Sequence, residues 1–286
     1  MRFVAKLLLL ALAAALAGGG SSQAADLPAA SEPAQGALTG LPLAGADAER
    51  FLATAAVVDI EHYETLGITK PRRATLSDGE RTLRAVFKDI DTTHVREQLS
   101  TGQWLLNLKD SYKHEIAAWK LDQLLELGLV PPCVARRIGG DDGALCLWVE
   151  GSMTESERAN AKTIPPDVVG YNNQMHDIKL FMQLTWDTDY NNVANIVIDP
   201  AWKVYKIDSS RAFRESEALR RAETLTRFRR RTLAALESLT RAELDTALGP
   251  WLDKRQLDGL WHRRGAILER ARELAASQGE AAVLYD

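Results

Sequence analysis

Patterns of apolar residues divide the chain into a first part with strands and one helix and a second part that is mostly helical. Leu83, Ala85 and Phe87 share one face of a predicted strand that ends at Lys88, and a shorter strand precedes it across Asp78-Gly79. Period two is typical of a strand with one buried face, and Asp-Gly favours a tight turn. The pattern predicts an antiparallel hairpin, and the simplest interpretation of its terminal lysine is a side chain in solvent.

A helix is predicted after this hairpin. Its apolar stripe consists of Ala117, Leu121, Leu124 and Leu125. Asp110-Ser111 precedes the stripe as a cap and Gly128 follows it as a terminator, so the helix should run from the cap to Leu127. Glu115 lies in the first turn, where an acid ordinarily complements the helix dipole. Residues 91–109 are polar and irregular, and they predict no element.

Most of the second part predicts helices around one further hairpin. Helical patterns cover residues 171–185, 219–239 and 241–248 and a last segment from about residue 253. Trp186 to Phe213 instead predicts a loop, a strand, a two-residue Pro200-Ala201 turn, a second strand and a loop. Arg227 to Arg231 is a basic run, and such a run is usually a solvated helix face.

Residues 1–24 carry the pattern of a secretory signal. Arg2 and Lys6 form a basic start, an apolar run spans residues 7–17, and small residues then precede a cleavage point. The run is short for a membrane span, so a cleaved signal is favoured over an anchor, with no transmembrane segment in the mature chain. We therefore predict export to the periplasm or the medium, with residues 25–47 as a flexible leader.

Cys133 and Cys146 are the two cysteines of the chain. They flank a turn of Gly and Asp residues in another predicted hairpin, residues 130–149. If that hairpin is centred between Gly139 and Gly140, the cysteines are direct cross-strand neighbours. An exported protein meets oxidising conditions, which favours a disulfide. Two buried thiols in a strand pair are the alternative.

Composition indicates one large domain or two lobes that share a cleft. The chain has 286 residues, of which 46% are hydrophobic and 26% charged, and its net charge is −4. This charge gives no basis for a nucleic-acid partner. Composition changes within the polar residues 151–170. The predicted fold is therefore α+β, with an antiparallel sheet and one helix in residues 48–150 and a mostly helical lobe in residues 151–286.

The stretch from residue 186 to 213 is rich in carboxylate and amide side chains. They are Asp187, Asp189, Asn191, Asn192, Asn195 and Asp208. A hairpin brings its ends together, so Asn195 and Asp208 should lie close to each other. Their oxygens suit Mg²⁺ bound to nucleotide phosphates. The alternative is an Asn- and Asp-rich turn that only joins a helix to a hairpin.

Three stretches together resemble the atypical kinases. They are Ala85-Val86-Phe87-Lys88, then Tyr112-Lys113-His114-Glu115 with the later Val130-Pro131-Pro132, and Asp187-Thr188-Asp189 with Asn195 and Ile207 to Phe213. That group includes phosphoinositide-kinase-like proteins, HipA-type toxin kinases and secretory-pathway casein-type kinases. The similarity extends from about Gly67 to the end of the chain. It implies a two-lobed kinase-like fold in an exported bacterial protein.

The resemblance also implies roles for individual residues. Lys88 would hold the nucleotide phosphates and Glu115 would steady it, while Asp208 and Asn195 would hold Mg²⁺ or Mn²⁺. Asp189 would orient the acceptor hydroxyl and take its proton. The residues implied to contact the nucleotide are Gly67, Thr69 and Lys70 over the phosphates and Trp148, Val149 and Glu150 at the adenine. The implied cofactors are ATP, or another nucleotide, and the divalent metal.

Two features depart from the pattern of these kinases. Tyr190 follows Asp189 where the group has a basic residue, and six positions rather than five separate Asp189 from Asn195. Three functions follow as hypotheses. The first is an exported ATP-dependent kinase acting on protein or small-molecule hydroxyls. The second is a catalytically silent kinase-like envelope protein that binds a ligand or partner, and the third is an α+β envelope protein without a nucleotide site.

Overall fold

The first half of the chain forms a five-stranded antiparallel sheet and two helices. The computed structural model describes residues 39–62, 70–98, 102 and 104–286. The elements of this half are α1 (Gly45–Thr54), β1 (Ala56–His62), β2 (Arg72–Ser77), β3 (Thr82–Lys88), β4 (Asp91–Gln98), β5 (Trp104–Ser111), α2 (Tyr112–Leu124), β6 (Cys133–Ile138) and β7 (Asp141–Leu147). The order in the sheet is β1-β2-β3-β7-β6, and β4 pairs with β5 as a separate two-stranded sheet.

The hairpin predicted before Lys88 is present, and a second hairpin lies where the sequence predicted no element. In the first, β2 and β3 pair with Leu76 opposite Leu83. In the second, β4 and β5 pair across residues 91–111, and every residue of β4 is exposed or half-exposed. A strand without a buried face has no need of apolar alternation, so its sequence carries no strand signal.

The sheet has a helix on each face. Leu145 and Leu147 pack into the apolar cluster that contains α1, whereas Ala144 and Cys146 pack toward the larger cluster that contains α2. Successive residues of a strand point to opposite faces, so the two helices lie on opposite sides of β7. The α2 helix begins where the sequence predicted, because the Ser111 side chain accepts a hydrogen bond from the Lys113 amide at 3.2 Å.

Cys133 and Cys146 form a disulfide. Strands β6 and β7 pair Ile138 with Asp141, which centres the hairpin between the two intervening glycines and sets the cysteines directly opposite each other. Their Cα atoms are 4.0 Å apart and thirteen positions separate them in the chain. Of the two alternatives that the sequence left open, the structure contains the bridge.

We expect the Cys133→Ala/Cys146→Ala variant to lose about 2–3 kcal/mol of unfolding free energy, because the bridge restricts the unfolded chain. Urea unfolding of the oxidised wild type and of the variant measures the difference. Wild type in reductant is the matched control, and it should unfold like the variant. A difference below about 0.5 kcal/mol, as for a neutral surface substitution, would contradict the prediction.

The second half of the chain contains short strands between helices. Its elements are β8 (Met153–Thr154), α3 (Glu155–Asn160), α4 (Val168–Leu184), a 3₁₀ turn (Val193–Asn195), β9 (Ile196–Ile198), β10 (Val204–Lys206), a second 3₁₀ turn (Ala222–Thr224), β11 (Phe228–Arg229), α5 (Arg230–Ser238), α6 (Arg241–Leu248), α7 (Lys254–Gln278), α8 (Glu280–Val283) and β12 (Leu284–Tyr285). Strands β9 and β10 form the predicted hairpin. Five residues, 199–203, connect them, so the predicted two-residue turn is wrong.

The predicted helix over residues 219–239 is wrong in its first half. Residues 222–224 form a 3₁₀ turn, and β11 pairs in parallel with β12 at the end of the chain. Only the end of the basic run is a solvated helix face: Arg230 and Arg231 are exposed in the first turn of α5, whereas Phe228 is fully buried and Arg229 pairs with Asp177 at 2.8 Å. Pairing between segments so distant in the chain leaves no local periodicity to detect.

Part of the predicted N-terminal organisation lies outside the described residues. The structure does not describe the predicted signal, residues 1–24, or most of the predicted leader. The described end of the leader pairs with the domain, since the Gly40 amide and carbonyl both bond to the backbone of Glu150 at 2.8 Å. Within the part of the chain that the structure describes, no helix combines the length and apolar character needed to cross a membrane.

Candidate active site

Lys88 lies between two carboxylates that come from distant parts of the chain. Its Nζ atom is 2.7 Å from Oε1 of Glu115 on α2 and 2.8 Å from Oδ1 of Asp208, which follows β10. Lys88 is only 9% exposed, so it is not the solvated strand end that its sequence position suggested. Oε2 of Glu115 accepts the backbone N–H of Ser209 at 3.0 Å. The glutamate therefore holds both the lysine and the segment after Asp208.

Lys88, Glu115 and Asp208 form a charged triad in which neighbouring charges shift the pKa of Lys88 and of Asp208. Burial alone would lower the pKa of Lys88, but Asp208 and Glu115 outweigh it and raise that pKa. Burial likewise favours the neutral form of Asp208, and the adjacent Lys88 reverses the effect and lowers the pKa of Asp208. One ammonium and two carboxylates leave a net negative charge in a buried place. Such a site favours binding of a further cation.

The stretch around the triad has unusual backbone geometry. Trp186, Asp208 and Phe213 have φ angles of 50°, 57° and 58°. Non-glycine residues rarely adopt this left-handed region, and such residues concentrate at functional sites. Trp186 directly precedes the Asp187–Asp189 loop. Asp208 carries the carboxylate that contacts Lys88, and Phe213 ends the segment that follows Asp208.

Asp187 and Asp189 have different environments although one residue separates them. Asp187 is 1% exposed, and its Oδ2 atom pairs with Lys206 Nζ at 2.9 Å. Its Oδ1 atom accepts the backbone N–H of Asp189 at 2.8 Å. Asp189 is only partly buried. Burial, Asp187 and Asp208 raise the pKa of Asp189, and Lys206 and Arg211 partly offset them. Asp189 is thus the carboxylate that remains open to a substrate.

Asn195 and Asp208 lie at the two ends of the β9–β10 hairpin, as the sequence predicted. Its carbonyl accepts the Ile207 amide at 2.9 Å, which places it across the strand pair from the residue preceding Asp208. Its side-chain Nδ2 atom is buried and has no hydrogen-bond partner among the described residues. Amide N and O positions are assigned from hydrogen bonds, so an unpaired buried amide is free to turn its oxygen toward a ligand. This observation fits an amide ligand for a metal.

The two oxygen-bearing side chains fit a metal that is bound together with nucleotide phosphates. Within the described residues, no group of three or more His, Cys, Asp or Glu side chains is arranged to hold a metal ion. Asp208 and Asn195 would supply two oxygen ligands. Mg²⁺ is commonly bound by one or two protein groups together with substrate phosphates and water.

The residues predicted to contact the nucleotide are only partly described. Gly67 and Thr69 lie outside the described residues, and Lys70 is exposed just before β2. The residues predicted to contact adenine follow β7. Among them, Val149 is buried, Trp148 packs under the Arg84 guanidinium 5.2 Å from its ring centroid, and the Glu150 carboxylate pairs with Arg84. The backbone N–H and C=O of Glu150 are both hydrogen-bonded to Gly40, and its carboxylate is paired with Arg84. All polar groups of Glu150 therefore already have partners within the protein.

Residues that the sequence did not single out hold the segment after Asp208. His114 Nδ1 donates to the Ser210 carbonyl at 2.7 Å, and its Nε2 atom is 3.0 Å from Gln256 Nε2, which also donates to Phe213 O at 2.9 Å. Burial lowers the pKa of His114 to about 4, so the ring is neutral at pH 7 and Nε2 accepts from Gln256. A lone histidine has no local motif, so the sequence offered no signal for this role.

A cavity of about 410 Å³ is lined in part by Tyr190, the residue that follows Asp189 in the chain. The residues lining it are Trp186, Tyr190, Asn191, Ser216, Ala218, Leu219, Arg220 and Arg221. Arg220 lies over the Trp186 ring and donates to the carbonyls of Asp187 and Thr188 at 2.9 and 2.6 Å. The cavity wall therefore also supports the Asp187–Asp189 loop. Its volume is in the usual range of small-molecule sites.

Comparison with known proteins gives a structural likeness only. No family model and no curated protein matches this sequence. A Fam20 protein from hydra, solved with a sugar, is similar with a TM-score of 0.59 and 15% identity, over 83% of this chain and 90% of that one. The Golgi casein kinase is similar with a TM-score of 0.53 and 13% identity, over 83% and 78%. This chain has an atypical kinase-like fold.

The predicted fold class is thereby confirmed. This chain has an α+β architecture with an antiparallel sheet and several helices, and its fold is similar to those of the hydra Fam20 protein and the Golgi casein kinase. At such low identity the likeness concerns the kinase-like fold alone. The arrangement of Lys88, Glu115 and Asp208 must therefore support a function by its own chemistry.

Proposed function

We propose that this chain binds a nucleotide with a divalent metal and transfers its phosphoryl group to a hydroxyl acceptor. One observation carries the proposal: Lys88, Glu115 and Asp208, from three separate elements, meet within hydrogen-bonding distance in a kinase-like fold. Phosphoryl transfer needs groups that position phosphates and neutralise charge rather than covalent chemistry from the protein. A buried lysine between two carboxylates, beside an unpaired amide, supplies such groups.

Each residue has a role that follows from its position. Lys88 is a point charge for the phosphates, and Glu115 keeps it directed toward them. Asp208 and Asn195 are the proposed metal ligands. The metal, Mg²⁺ or Mn²⁺, supplies charge neutralisation at the phosphates. Asp189 accepts the proton of the acceptor hydroxyl, since it is partly exposed and its raised pKa brings it nearer to that of a useful base.

The acceptor would occupy the cavity that Trp186, Tyr190 and Asn191 line in part, on the loop that carries Asp189. A hydroxyl compound in that cavity would contact Tyr190, the chain neighbour of the proposed base, and the cavity wall contains both polar and apolar side chains. The acceptor is a protein or small-molecule hydroxyl rather than a nucleic acid. We further propose that the chain acts after export, in the periplasm or outside the cell, since residues 1–24 have the pattern of a cleaved signal.

A catalytically silent relative of a kinase is the second candidate. Tyr190 stands where kinases of this group carry a basic residue, and its hydroxyl donates to Thr224 Oγ1 at 2.6 Å. Without that positive charge, the transferring phosphoryl group has one less partner. This candidate keeps nucleotide and metal binding and lacks transfer.

Thermal unfolding with nucleotide and metal tests the proposal. ATP with Mg²⁺ or Mn²⁺ at one hundred times its dissociation constant should stabilise the protein by about 2.7 kcal/mol. Chelating the metal with EDTA should remove most of that effect, because Asp208 needs the cation to approach the phosphates. Absence of a shift with any nucleotide and metal would contradict both candidates. The remaining hypothesis would then be the α+β envelope protein without a nucleotide site.

A further inference from the structure

Lys206 is a buried ammonium group that the proposed roles above do not use. It ends β10, two residues before Asp208, and is 1% exposed. Its Nζ atom pairs with Oδ2 of Asp187 at 2.9 Å and donates to the carbonyls of Ile207 and Asp208 at 2.6 and 2.9 Å. A buried ammonium is costly unless it is paired and hydrogen-bonded. Here three acceptors match its three N–H groups.

The acceptors belong to both halves of the proposed site. Asp187 links Lys206 to Asp189, because its other oxygen accepts the backbone N–H of Asp189 at 2.8 Å. The Asp208 carbonyl belongs to the residue whose carboxylate contacts Lys88 and whose φ is 57°. One side chain therefore joins the loop that carries the base to the residue that carries the metal ligand.

We propose that Lys206 is a positioning residue, which fixes the Asp189 carboxylate relative to the metal-binding Asp208 by holding Asp187 and the Asp208 backbone together. The inference rests on the proposed function. Lys206 has no N–H group left for a substrate, so it acts through its neighbours, unlike Lys88. A merely structural ion pair would stabilise the fold without setting this separation.

The test uses a variant that removes both charges and retains the shape of the pair. In Lys206→Met/Asp187→Asn, no charge is left unpaired, and the asparagine oxygen still accepts from the Asp189 amide. The matched control is Arg229→Met/Asp177→Asn. That pair, at 2.8 Å, is also largely buried and contacts Tyr285 near the end of the chain rather than the proposed site.

Activity provides the first readout. We expect kcat of the Lys206 variant to fall roughly 10²-fold, as for a displacement of about 1 Å at a reacting centre. The dissociation constant of metal-free nucleotide should change less than about threefold, because Lys88 and Glu115 stay in place. The control variant should retain the wild-type kcat at a temperature where it is folded. A Lys206 variant with wild-type kcat would overturn the inference.

Backbone hydrogen exchange provides a readout that needs no activity. Peptides that contain residues 187–189 and 207–209 should exchange faster together in the Lys206 variant, and the rest of the fold should not. The control should leave both segments unchanged. Faster exchange at only one segment, or equally throughout the fold, would overturn the positioning role. If wild type transfers no phosphate, the proposed function fails, while this measurement still decides whether Lys206 joins the two segments.

Discussion

Replacing Asp208 with Asn should abolish the metal-dependent stabilisation by nucleotide, which is about 2.7 kcal/mol in wild type at one hundred times the dissociation constant. The neutral amide is a weaker ligand for a hard cation than the carboxylate. It also removes one of the two anionic partners of Lys88, which still keeps Glu115 at 2.7 Å. Thermal melts with ATP and increasing Mn²⁺, compared with ATP in EDTA, measure the metal-dependent part.

Asp177→Asn is the matched control for this substitution. Asp177 is a buried aspartate in an ion pair with Arg229, so its replacement perturbs the fold in a comparable way at a place without proposed metal ligands. We expect it to lower the melting temperature of the free protein and to leave the metal-dependent shift intact. An Asp208→Asn protein that retains the full shift would show that the metal is held elsewhere.

Asp189→Asn should reduce phosphoryl transfer by roughly 10²–10⁴-fold, the usual contribution of a general base. Nucleotide binding should be unchanged, because Asp189 contacts neither Lys88 nor Glu115. A phosphate-transfer assay together with a binding titration separates the two effects. Wild-type protein that binds nucleotide with metal, but transfers no faster than Asp189→Asn, would be the silent relative rather than the enzyme.

The pH dependence of transfer gives a second test of the same residue. Burial and the neighbouring Asp187 and Asp208 raise the pKa of Asp189 above its usual value of 3.8. A base acts in its ionised form, so kcat should be full above this raised pKa and should fall as pH falls through it. This fall of kcat at low pH should be absent from the residual activity of Asp189→Asn. A fall that persists there would assign the titration to another group.

The sequence predicted those residues of the candidate site that are recognisable from their residue type and from their place in a local element. Lys88 at a strand end, Glu115 in the first turn of a capped helix, and Asn195 and Asp208 at the ends of a hairpin all have local signals. The proximity of Asn195 and Asp208 followed from the hairpin, whereas the meeting of Lys88, Glu115 and Asp208 could be inferred only from resemblance. The structure places these last three residues in contact. The roles assigned to all four stay predictions until the substitutions are measured.

Lys206, His114 and Arg220 were missed for a physical reason. Each acts through backbone carbonyls or through a side chain distant in sequence, such as His114 to Ser210 and Arg220 to the Asp187–Asp189 loop. A carbonyl acceptor is present at every position, so such a contact leaves no signature in residue type. The chemistry of supporting residues is therefore visible only after the chain has folded.

The sequence by itself determined the hairpin of β2 and β3, the capped start of α2, the bounds of α6 and the α+β class, because turn chemistry, capping and apolar periodicity are local properties. Only the tertiary structure decided the exposed β4–β5 hairpin, the parallel pairing of β11 with β12, the disulfide, and the burial of Lys88 between Glu115 and Asp208. The β11–β12 pairing and the burial of Lys88 depend on contacts between segments that are distant in the chain, and the free energy of such contacts is not encoded in any single stretch of residues. The β4–β5 hairpin is local but has no apolar alternation in its exposed strand β4, and the disulfide depends on the register of the β6–β7 hairpin.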